Sequence, residues 1–372
     1  MIMFLKDCFD VCSKMAKKPK VLIVGSGIVG ASIALACQNL GADVVVVEQG
    51  KLGGVASSNS FGWINASVAS SQEYFELRNA AVDTFRQMSA ELDLNKSVRW
   101  QGTLWWEDGG SALEDHFCNL KARGYPAKWL KKNDIRAIEP NLKDVPEEAI
   151  LTPLEGAGQA DKVALAILAK LTALGGRVIS GCEVTALDFS RGQVSRVHTS
   201  IGAVECDLVV MATGAAAQHG LLGVDWVLPM QNKKGLILQT PPVPYLINHI
   251  IMADDIHFRQ NVDGSFTVGE IFSRDLDPSF VILDLASDIM ARLHTRLHGM
   301  PKINSADVKI GTRPIPMDGL PVVGEIPGHK GLFVAVMHSG VTLAPLVGQL
   351  LASEMLQMSE SSLLAPFRPS RF

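Results

Sequence analysis

The sequence predicts an α/β fold that opens with a strand, a helix and a second strand. Residues 21–24 are a short apolar run of mostly β-branched type, and residues 28–40 carry apolar positions at helical spacing. Gly41 is placed to end that helix, and residues 43–47, DVVVV, are a second buried strand. Short continuous apolar runs are typical of parallel strands covered on both faces. The order therefore indicates a βαβ unit in a parallel sheet.

The glycines of VGSGIVG lie between the first strand and the helix. In a βαβ unit Gly25 permits a tight turn, Gly27 lets backbone approach a pyrophosphate, and Gly30 lets the helix pack closely on the strand. Glu48 ends the second strand 18 residues beyond Gly30, where a carboxylate accepts hydrogen bonds from ribose hydroxyls. This spacing predicts dinucleotide binding. The alternative is a glycine-rich turn followed by a surface glutamate.

Three further segments favour FAD over NAD as the dinucleotide. Residues 50–67, GKLGGVASSNSFGWINAS, form a small-residue loop where an NAD-binding domain would return to helix–strand alternation. A flexible serine-rich loop is the alternative reading of this segment. Residues 206–214 are a strand that ends in a small-residue turn, and residues 331–345 give a strand, a turn and a helix start. A helix N-terminus there suits negative charge at the flavin N1–C2=O region.

Together these segments resemble the D-amino-acid oxidase superfamily of FAD-dependent amine oxidoreductases, in its glycine-oxidase and sarcosine-oxidase-like branch. The motifs are VGSGIVG, Glu48, ASSNSFGWINAS, VVMATGA, GTRPIPMDGLPVVG and HSGVTLAP, in that order. The resemblance implies a discontinuous Rossmann-like FAD-binding domain of glutathione-reductase type over residues 1–90, 150–225 and 305–372. It also implies an α+β substrate domain with an antiparallel sheet over residues 91–149 and 226–304.

Within that architecture, residues 103–107, 226–239, 256–259 and 265–270 are predicted strands, and residues 280–297 are a predicted helix. A second helix is predicted over residues 161–174, with Asp161 as its N-cap.

The resemblance and the motifs assign FAD contacts to the glycine loop, the second strand end, the small-residue loop and the later turns. The expected cofactor-binding residues are Gly25, Gly27, Ile28, Val29, Gly30, Glu48, Gln49, Ala56, Ser57, Ser58, Asn59, Ser60, Val184, Thr213, Gly214, Arg313, His338, Ser339, Gly340, Val341 and Thr342. Sarcosine-type enzymes bond the flavin to a cysteine at a position that falls near Gly311 here, so FAD is expected to be non-covalent. The lysine that activates oxygen in sarcosine oxidases falls near Thr267.

Arg313 is the leading candidate for substrate binding. It lies in GTRPIPMDG, and the resemblance implies that the arginine of this motif binds the substrate carboxylate. The planar guanidinium meets a carboxylate with two parallel hydrogen bonds. The alternative is a structural arginine paired with Asp318.

Three further residues are candidates for the catalytic site. His257 and Arg259 alternate on one strand and therefore point to the same side, which is either the flavin cavity or solvent. His249 is a similar candidate. His338, assigned above to the cofactor, lies either at the edge of the flavin ring or is merely packed.

These residues predict oxidation of a C–N bond in a small amino acid or an N-carboxymethyl secondary amine. Hydride passes to flavin N5, and the imine hydrolyses to an oxo acid such as glyoxylate and an amine. Arg259, as a second cation, favours an iminodiacetate-like dicarboxylate. The electron acceptor is O2 or a quinone, with an oxidase preferred over a dehydrogenase. The alternatives are a D-amino-acid dehydrogenase coupled to quinone, a non-catalytic FAD-binding assembly factor, and an NAD-dependent dehydrogenase.

Composition excludes several other classes of function. The net charge is −4, without the basic stripe that nucleic acid binding needs. No His/Cys group has zinc spacing, so no metal is expected. The six cysteines are predicted to be buried thiols in a reducing compartment. Residues 1–19 are predicted to be a frayed extension or surface helix rather than an anchor, and no integral membrane span is expected. These features predict a cytoplasmic protein that acts on a small-molecule amine.

Overall fold

The computed structural model describes residues 18–107, 109–220, 224–271, 278–303 and 306–372. The strands, in chain order, are β1 (Lys20–Val24), β2 (Asp43–Glu48), β3 (Trp63–Ile64), β4 (Val98–Arg99), β5 (Thr103–Trp105), β6 (Lys128–Lys131), β7 (Glu148–Thr152), β8 (Gly156–Gly158), β9 (Arg177–Ser180), β10 (Val184–Ser190), β11 (Gln193–Thr199), β12 (Gly202–Glu205), β13 (Leu208–Met211), β14 (Met230–Gln231), β15 (Lys234–Gln239), β16 (Ile250–Met252), β17 (His257–Gln260), β18 (Phe266–Ile271), β19 (Asp307–Thr312), β20 (Ile315–Pro316), β21 (Val322–Glu325) and β22 (Leu332–Val336). The α-helices are α1 (Ile28–Asn39), α2 (Val55–Ser58), α3 (Gln72–Glu91), α4 (Gly110–Ala122), α5 (Lys132–Ile138), α6 (Ala160–Ala173), α7 (Pro278–Arg296) and α8 (Gly340–Gln357).

The predicted βαβ unit is confirmed at the centre of a six-stranded sheet. The strand order is β21-β22-β13-β1-β2-β9, and β1 pairs in parallel with both β2 and β13. Val21 and Ile23 pack toward α1 and α8, whereas Leu22 and Val24 pack toward the small sheet β10-β11-β12. Both faces of β1 are therefore covered, which explains its uninterrupted apolar sequence. Gly41 has a φ of +87° and follows α1, as predicted for the end of that helix.

A second, eight-stranded sheet has the order β19-β15-β18-β17-β16-β5-β7-β6. Its pairs are antiparallel except for β16 with β5. One face carries Leu236, Phe258 and Val268, which belong to the same buried core as Ile289 and Leu293 of α7. The helix α7 thus covers this face, and the opposite face is left to the loops that follow β2.

Several sequence-based bounds need correction. The strand β19 is hydrogen-bonded to β15 of the eight-stranded sheet, although residues 305–372 were assigned to the FAD-binding domain. The predicted strand over residues 226–239 is two strands, β14 and β15, in different sheets. Gln159, not Asp161, occupies the N-cap of α6, and no side chain caps it.

The cysteines follow the prediction in part. Cys37, Cys182 and Cys206 are buried free thiols, but Cys118 is exposed on α4. Cys8 and Cys12 lie outside the described residues. In the part of the chain that the structure describes, no helix is long and apolar enough to cross a membrane. Within the same residues no cluster of His, Cys, Asp or Glu is suited to hold a metal ion.

Candidate active site

The face of the large sheet opposite α7 contains a floor of glycines. Gly235 pairs with Gly311, and the next pairs across β15 join Ile237 to Lys309 and to Gly269. Directly paired residues lie side by side on one face of a sheet. We call this surface the site face. Because three of its positions carry no side chain, groups from outside the sheet can lie directly on its backbone.

Three side chains use that space. A Cβ atom added to Gly235 would lie 2.7 Å from Arg313 Nε. A Cβ on Gly311 would lie 2.9 Å from the Cβ of Asn59, and one on Gly269 would lie 3.1 Å from a ring carbon of Phe61. Asn59 Nδ2 also donates to the carbonyl of Ile310. The site face therefore brings Arg313 beside the small-residue loop of residues 50–67.

Arg313 offers an unoccupied guanidinium. The side chain is half-buried, and within the described residues it makes no hydrogen bond or ion pair. Burial lowers the pKa of Arg313, which nevertheless stays cationic because arginine is not deprotonated in proteins. The alternative partner, Asp318, instead accepts from Arg371 Nε at 2.7 Å. The structural reading of Arg313 as the partner of Asp318 is therefore wrong.

His338 lies within electrostatic reach of Arg313. Desolvation by the surrounding protein and, after it, the charges of Arg313, Arg78 and Lys233 together lower its pKa to about 4, although its side chain keeps an exposed part. His338 is consequently neutral at neutral pH and adds no charge to the positive region around Arg313.

The glycine loop forms a cradle at the start of α1. Gly25 has a φ of +106°, and a Cβ there would lie 2.5 Å from the Ala212 carbonyl oxygen. A Cβ on Gly30 would lie 2.1 Å from the Gly25 carbonyl oxygen, whereas one on Gly27 meets nothing closer than Ser57 Oγ at 3.4 Å. Gly25 and Gly30 thus close the turn tightly, whereas a Cβ on Gly27 would make only ordinary contacts with Ser57 and Gly54.

Two hydroxyls beside this cradle bear on a dinucleotide. Thr213 Oγ1 is buried and has no hydrogen-bond partner among the described residues. It directly follows Ala212, the residue that Gly25 contacts, and precedes Gly214, which has a φ of +56°. Ser57 Oγ accepts from the Ile28 amide at 3.1 Å. An unpartnered donor and a backbone cradle next to a helix N-terminus fit a phosphate-containing ligand.

Glu48 ends β2 beside the cradle, as predicted from its spacing. Its carboxylate accepts from the Ser26 amide at 2.9 Å, from Ser26 Oγ at 2.8 Å and from the Gly50 amide at 2.9 Å. These bonds hold a half-buried carboxylate in one orientation and leave acceptor capacity for a ribose hydroxyl. Gln49, the next residue, is exposed, and Val184 is half-buried at the start of β10.

The small-residue loop is ordered by bonds to itself. Ser58 Oγ donates to the Gly54 carbonyl at 2.9 Å, and Ser60 Oγ accepts from the Gly62 amide at 3.0 Å. Ala56 is half-buried on the short helix α2. These contacts argue against the alternative of a flexible serine-rich loop.

The start of α8 meets the start of α1. A Cβ on Gly340 would lie 3.2 Å from Val29 Cγ2, so the two helix N-termini lie side by side. Ser339 is the N-cap but makes no capping bond, and its Oγ accepts from the Tyr74 hydroxyl. Thr342 is buried and donates to the Trp63 carbonyl. Val341 is half-buried between them.

Arg259 does not offer a free cation. It lies on the site face but is only 2% exposed. Its Nε donates to the Phe61 carbonyl at 2.6 Å, Nη2 donates to the Gly158 carbonyl at 3.1 Å, and Nη1 donates to Asn261 Oδ1. These bonds connect β17 to the segment before β3 and to β8. The interpretation of Arg259 as an anchor for a second carboxylate is therefore corrected to a structural one.

The two candidate histidines have different surroundings: His257 lies on β17, whereas His249 precedes β16. His257 pairs with Gly269 on the site face, and its Nε2 lies 3.3 Å from Glu107 Oε2. His249 instead binds Glu139, a fully buried carboxylate, through Nδ1 at 2.7 Å. Glu139 is the C-cap of α5, and this bond makes His249 the partner of a buried carboxylate, so the prediction that His249 joins the catalytic site is corrected to a structural role.

Sequence reasoning missed two residues of this site. Gly235 shapes the floor under Arg313, and Lys309 lies on the same face two positions before Gly311. Neither belongs to a motif, and only the pairing of β15 with β19 brings them to the site.

A parallel sheet with a glycine cradle, joined to a large antiparallel sheet that presents a free arginine, defines a dinucleotide-binding oxidoreductase. Residues 20–354 match the family described as FAD dependent oxidoreductase (DAO). The chain belongs to this family, which confirms the resemblance to amine oxidoreductases and the expectation of FAD over NAD.

Individual relatives are distant but full-length. The glycine oxidase of Geobacillus kaustophilus (strain HTA426) is 27% identical over 378 residues, which cover 96% of this chain and 98% of that protein. The L-amino acid deaminase of Proteus myxofaciens superposes with a TM-score of 0.84 at 19% identity, covering 95% of this chain and 94% of that one. The iminodiacetate oxidase of Chelativorans sp. BNC1 gives a TM-score of 0.80 at 20% identity, covering 94% and 98%. These two structures establish the fold.

Proposed function

We propose that this FAD-dependent oxidoreductase oxidises the C–N bond of a small amino acid or an N-carboxymethyl secondary amine. The observation that carries the proposal is the half-buried guanidinium of Arg313, which lies on a glycine floor without a partner among the described residues. A partly buried cation normally has an anionic partner. A substrate carboxylate supplies that partner and satisfies the planar fork with two hydrogen bonds.

The residues around Arg313 then orient the substrate. The carboxylate is fixed at Arg313, so the amine and the Cα–H bond extend from the guanidinium past Asn59, whose side chain lies on Gly311. His338 stays neutral because its pKa is about 4, so it does not compete for the carboxylate. Such positioning supplies a large part of the rate acceleration in oriented reactions. Water then hydrolyses the imine product to an oxo acid and a free amine.

The cofactor residues have separate tasks in this proposal. The backbone at Gly27 and the N–H groups at the start of α1 hold the pyrophosphate, and Thr213 donates its hydroxyl, which has no partner among the described residues. Glu48 accepts from the ribose. Bound FAD, held without a covalent bond, supplies the two-electron acceptor for the Cα hydride. We favour O2 over a quinone as the terminal oxidant, since one relative that covers nearly the whole chain is a glycine oxidase.

The test is anaerobic reduction of the purified flavoprotein. Wild-type protein is mixed without air with glycine, sarcosine, iminodiacetate and D-amino acids, and the visible flavin band is followed. Bleaching by one class supports the proposal, and readmitting air or a quinone identifies the acceptor. A bound flavin that dithionite reduces but no amine bleaches would instead indicate the non-catalytic, assembly-factor alternative.

Two variants locate the carboxylate site. Arg313→Met removes the charged hydrogen bonds, which are worth about 2 to 5 kcal/mol when a partner is left unpaired, so KM rises roughly 30-fold or more. Asp318→Asn is the control, because Asp318 binds Arg371 and not Arg313. Equal loss in both variants would contradict the role given to Arg313.

A further inference from the structure

Lys309 is a second cation on the site face. It pairs with Ile237 across β15 and lies on the same side of β19 as Gly311. Arg313 leans back over Gly235, the partner of Gly311. Neighbouring positions on one face of a strand are about 7 Å apart. Lys309 therefore lies one such step from Gly311, and the Asn59 side chain and the Arg313 guanidinium lie on Gly311 and on its partner Gly235.

The ammonium of Lys309 also lacks an anionic partner. The side chain is half-buried, and its single contact among the described residues is Nζ to the Ser58 carbonyl at 3.5 Å. Asp307, the next residue on that face, is exposed and forms no ion pair with Lys309 in the described part of the chain. A lysine on an edge strand commonly points into solvent. This one instead turns toward the small-residue loop that flanks the site.

We propose that Lys309 is a specificity-determining residue that binds the second carboxylate of a dicarboxylic amine while Arg313 binds the first. This inference rests on the proposed function and gives it a substrate class, short dicarboxylates with a central secondary amine. It assigns to Lys309 the role that sequence reasoning gave to Arg259. The two differ because the Arg259 donors are bonded to protein oxygens, whereas Lys309 has a single long contact within the described part of the chain.

Binding is measured separately from oxidation. Thiodiacetate and (methylthio)acetate differ by one carboxylate, and neither contains an amine that flavin oxidises. Their dissociation constants for the FAD-loaded protein are obtained from the perturbation of the flavin absorbance. Wild type is compared with Lys309→Met, Lys309→Arg and Lys128→Met. Lys128 is an exposed lysine on β6, at the opposite edge of the same sheet.

The expected result is a selective loss. Lys309→Met weakens thiodiacetate about 10- to 100-fold, the usual range for one charged hydrogen bond. The same variant leaves (methylthio)acetate within about twofold, Lys309→Arg restores most of the difference, and Lys128→Met changes neither ligand. The proposal is overturned if Lys309→Met weakens both ligands equally or leaves the preference for thiodiacetate unchanged. It is also overturned if this variant loses FAD to the same extent with and without ligand.

Oxidation of sarcosine and iminodiacetate distinguishes a wrong role for Lys309 from a wrong proposed function. If sarcosine and iminodiacetate both reduce the flavin but Lys309→Met does not change their ratio of kcat/KM, the role of Lys309 is wrong and the proposed function stands. If neither amine reduces the wild-type flavin while thiodiacetate still depends on Lys309, the dicarboxylate site stands and the oxidative function is wrong.

Discussion

The FAD cradle and the site face both depend on glycine, but the atoms that exclude a side chain differ. At Gly25 and Gly30 an added Cβ would collide with backbone oxygens, at 2.5 Å and 2.1 Å. At Gly235 and Gly311 it would meet the side chains of Arg313 and Asn59. Backbone cannot move without disturbing the sheet, whereas side chains can turn away. The glycines of the cradle therefore maintain the fold, and those of the site face determine where functional side chains lie.

The largest effect is expected for Gly30→Ala, which tests whether the glycines of the cradle maintain the fold. The added methyl overlaps the Gly25 carbonyl oxygen at the junction of β1 and α1, so we expect destabilisation of about 3 kcal/mol or more, together with loss of bound flavin. Thermal unfolding and flavin content measure the two effects. Gly27→Ala is the matched control, because its nearest neighbour would be Ser57 Oγ at 3.4 Å. It should keep its melting temperature and lose only FAD affinity.

A change of the same kind on the site face should have a smaller and different effect. In Gly235→Ala the new Cβ displaces Arg313, a flexible side chain, so we expect KM to rise about tenfold, near 1.4 kcal/mol, with little change in stability. The double variant Gly235→Ala, Arg313→Met tests whether the methyl group at residue 235 raises KM by displacing Arg313. If Gly235 acts through Arg313, the double variant is no worse than Arg313→Met alone. Additive losses would contradict that.

The smallest expected effect concerns His338, which directly precedes the N-cap of α8 and lies near Arg313 of the site face. Burial and nearby cations hold its pKa at about 4 in the folded protein, against an ordinary value of 6.5. Between pH 4 and 6.5 the unfolded chain therefore binds more protons at this residue. Its contribution to stability is complete above pH 6.5 and is lost as pH falls toward 4.

His338→Gln removes this contribution to the pH dependence. Urea unfolding at pH 7.5 and pH 5 should show a smaller difference in the variant than in the wild type, while other titrating groups cancel. An equal difference in both proteins would show that the His338 ring exchanges protons as freely in the folded state as in the unfolded chain.

Much of the FAD cradle was predictable because its parts are close in the sequence. The order of β1, the glycines, α1, β2 and Glu48 was read from adjacent residues, and the structure places each of them as expected. Arg313 was also found, since its motif is local. The same reading failed for His249 and Arg259, whose partners Glu139, Phe61 and Gly158 lie about 100 or more positions away.

The sequence by itself determined the cofactor cradle and the arginine of the substrate site, because glycine spacing and strand periodicity act over a few residues. The tertiary structure alone decided which cations remain without a partner. That choice depends on the register of β15 against β19, which joins residues 235 and 311, and on the packing that brings the Phe61 and Gly158 carbonyls to Arg259. A strand register is set by packing across the whole sheet. The local sequence therefore does not predict that Gly235 lies beneath Arg313 or that Lys309 lies on the same face of the sheet.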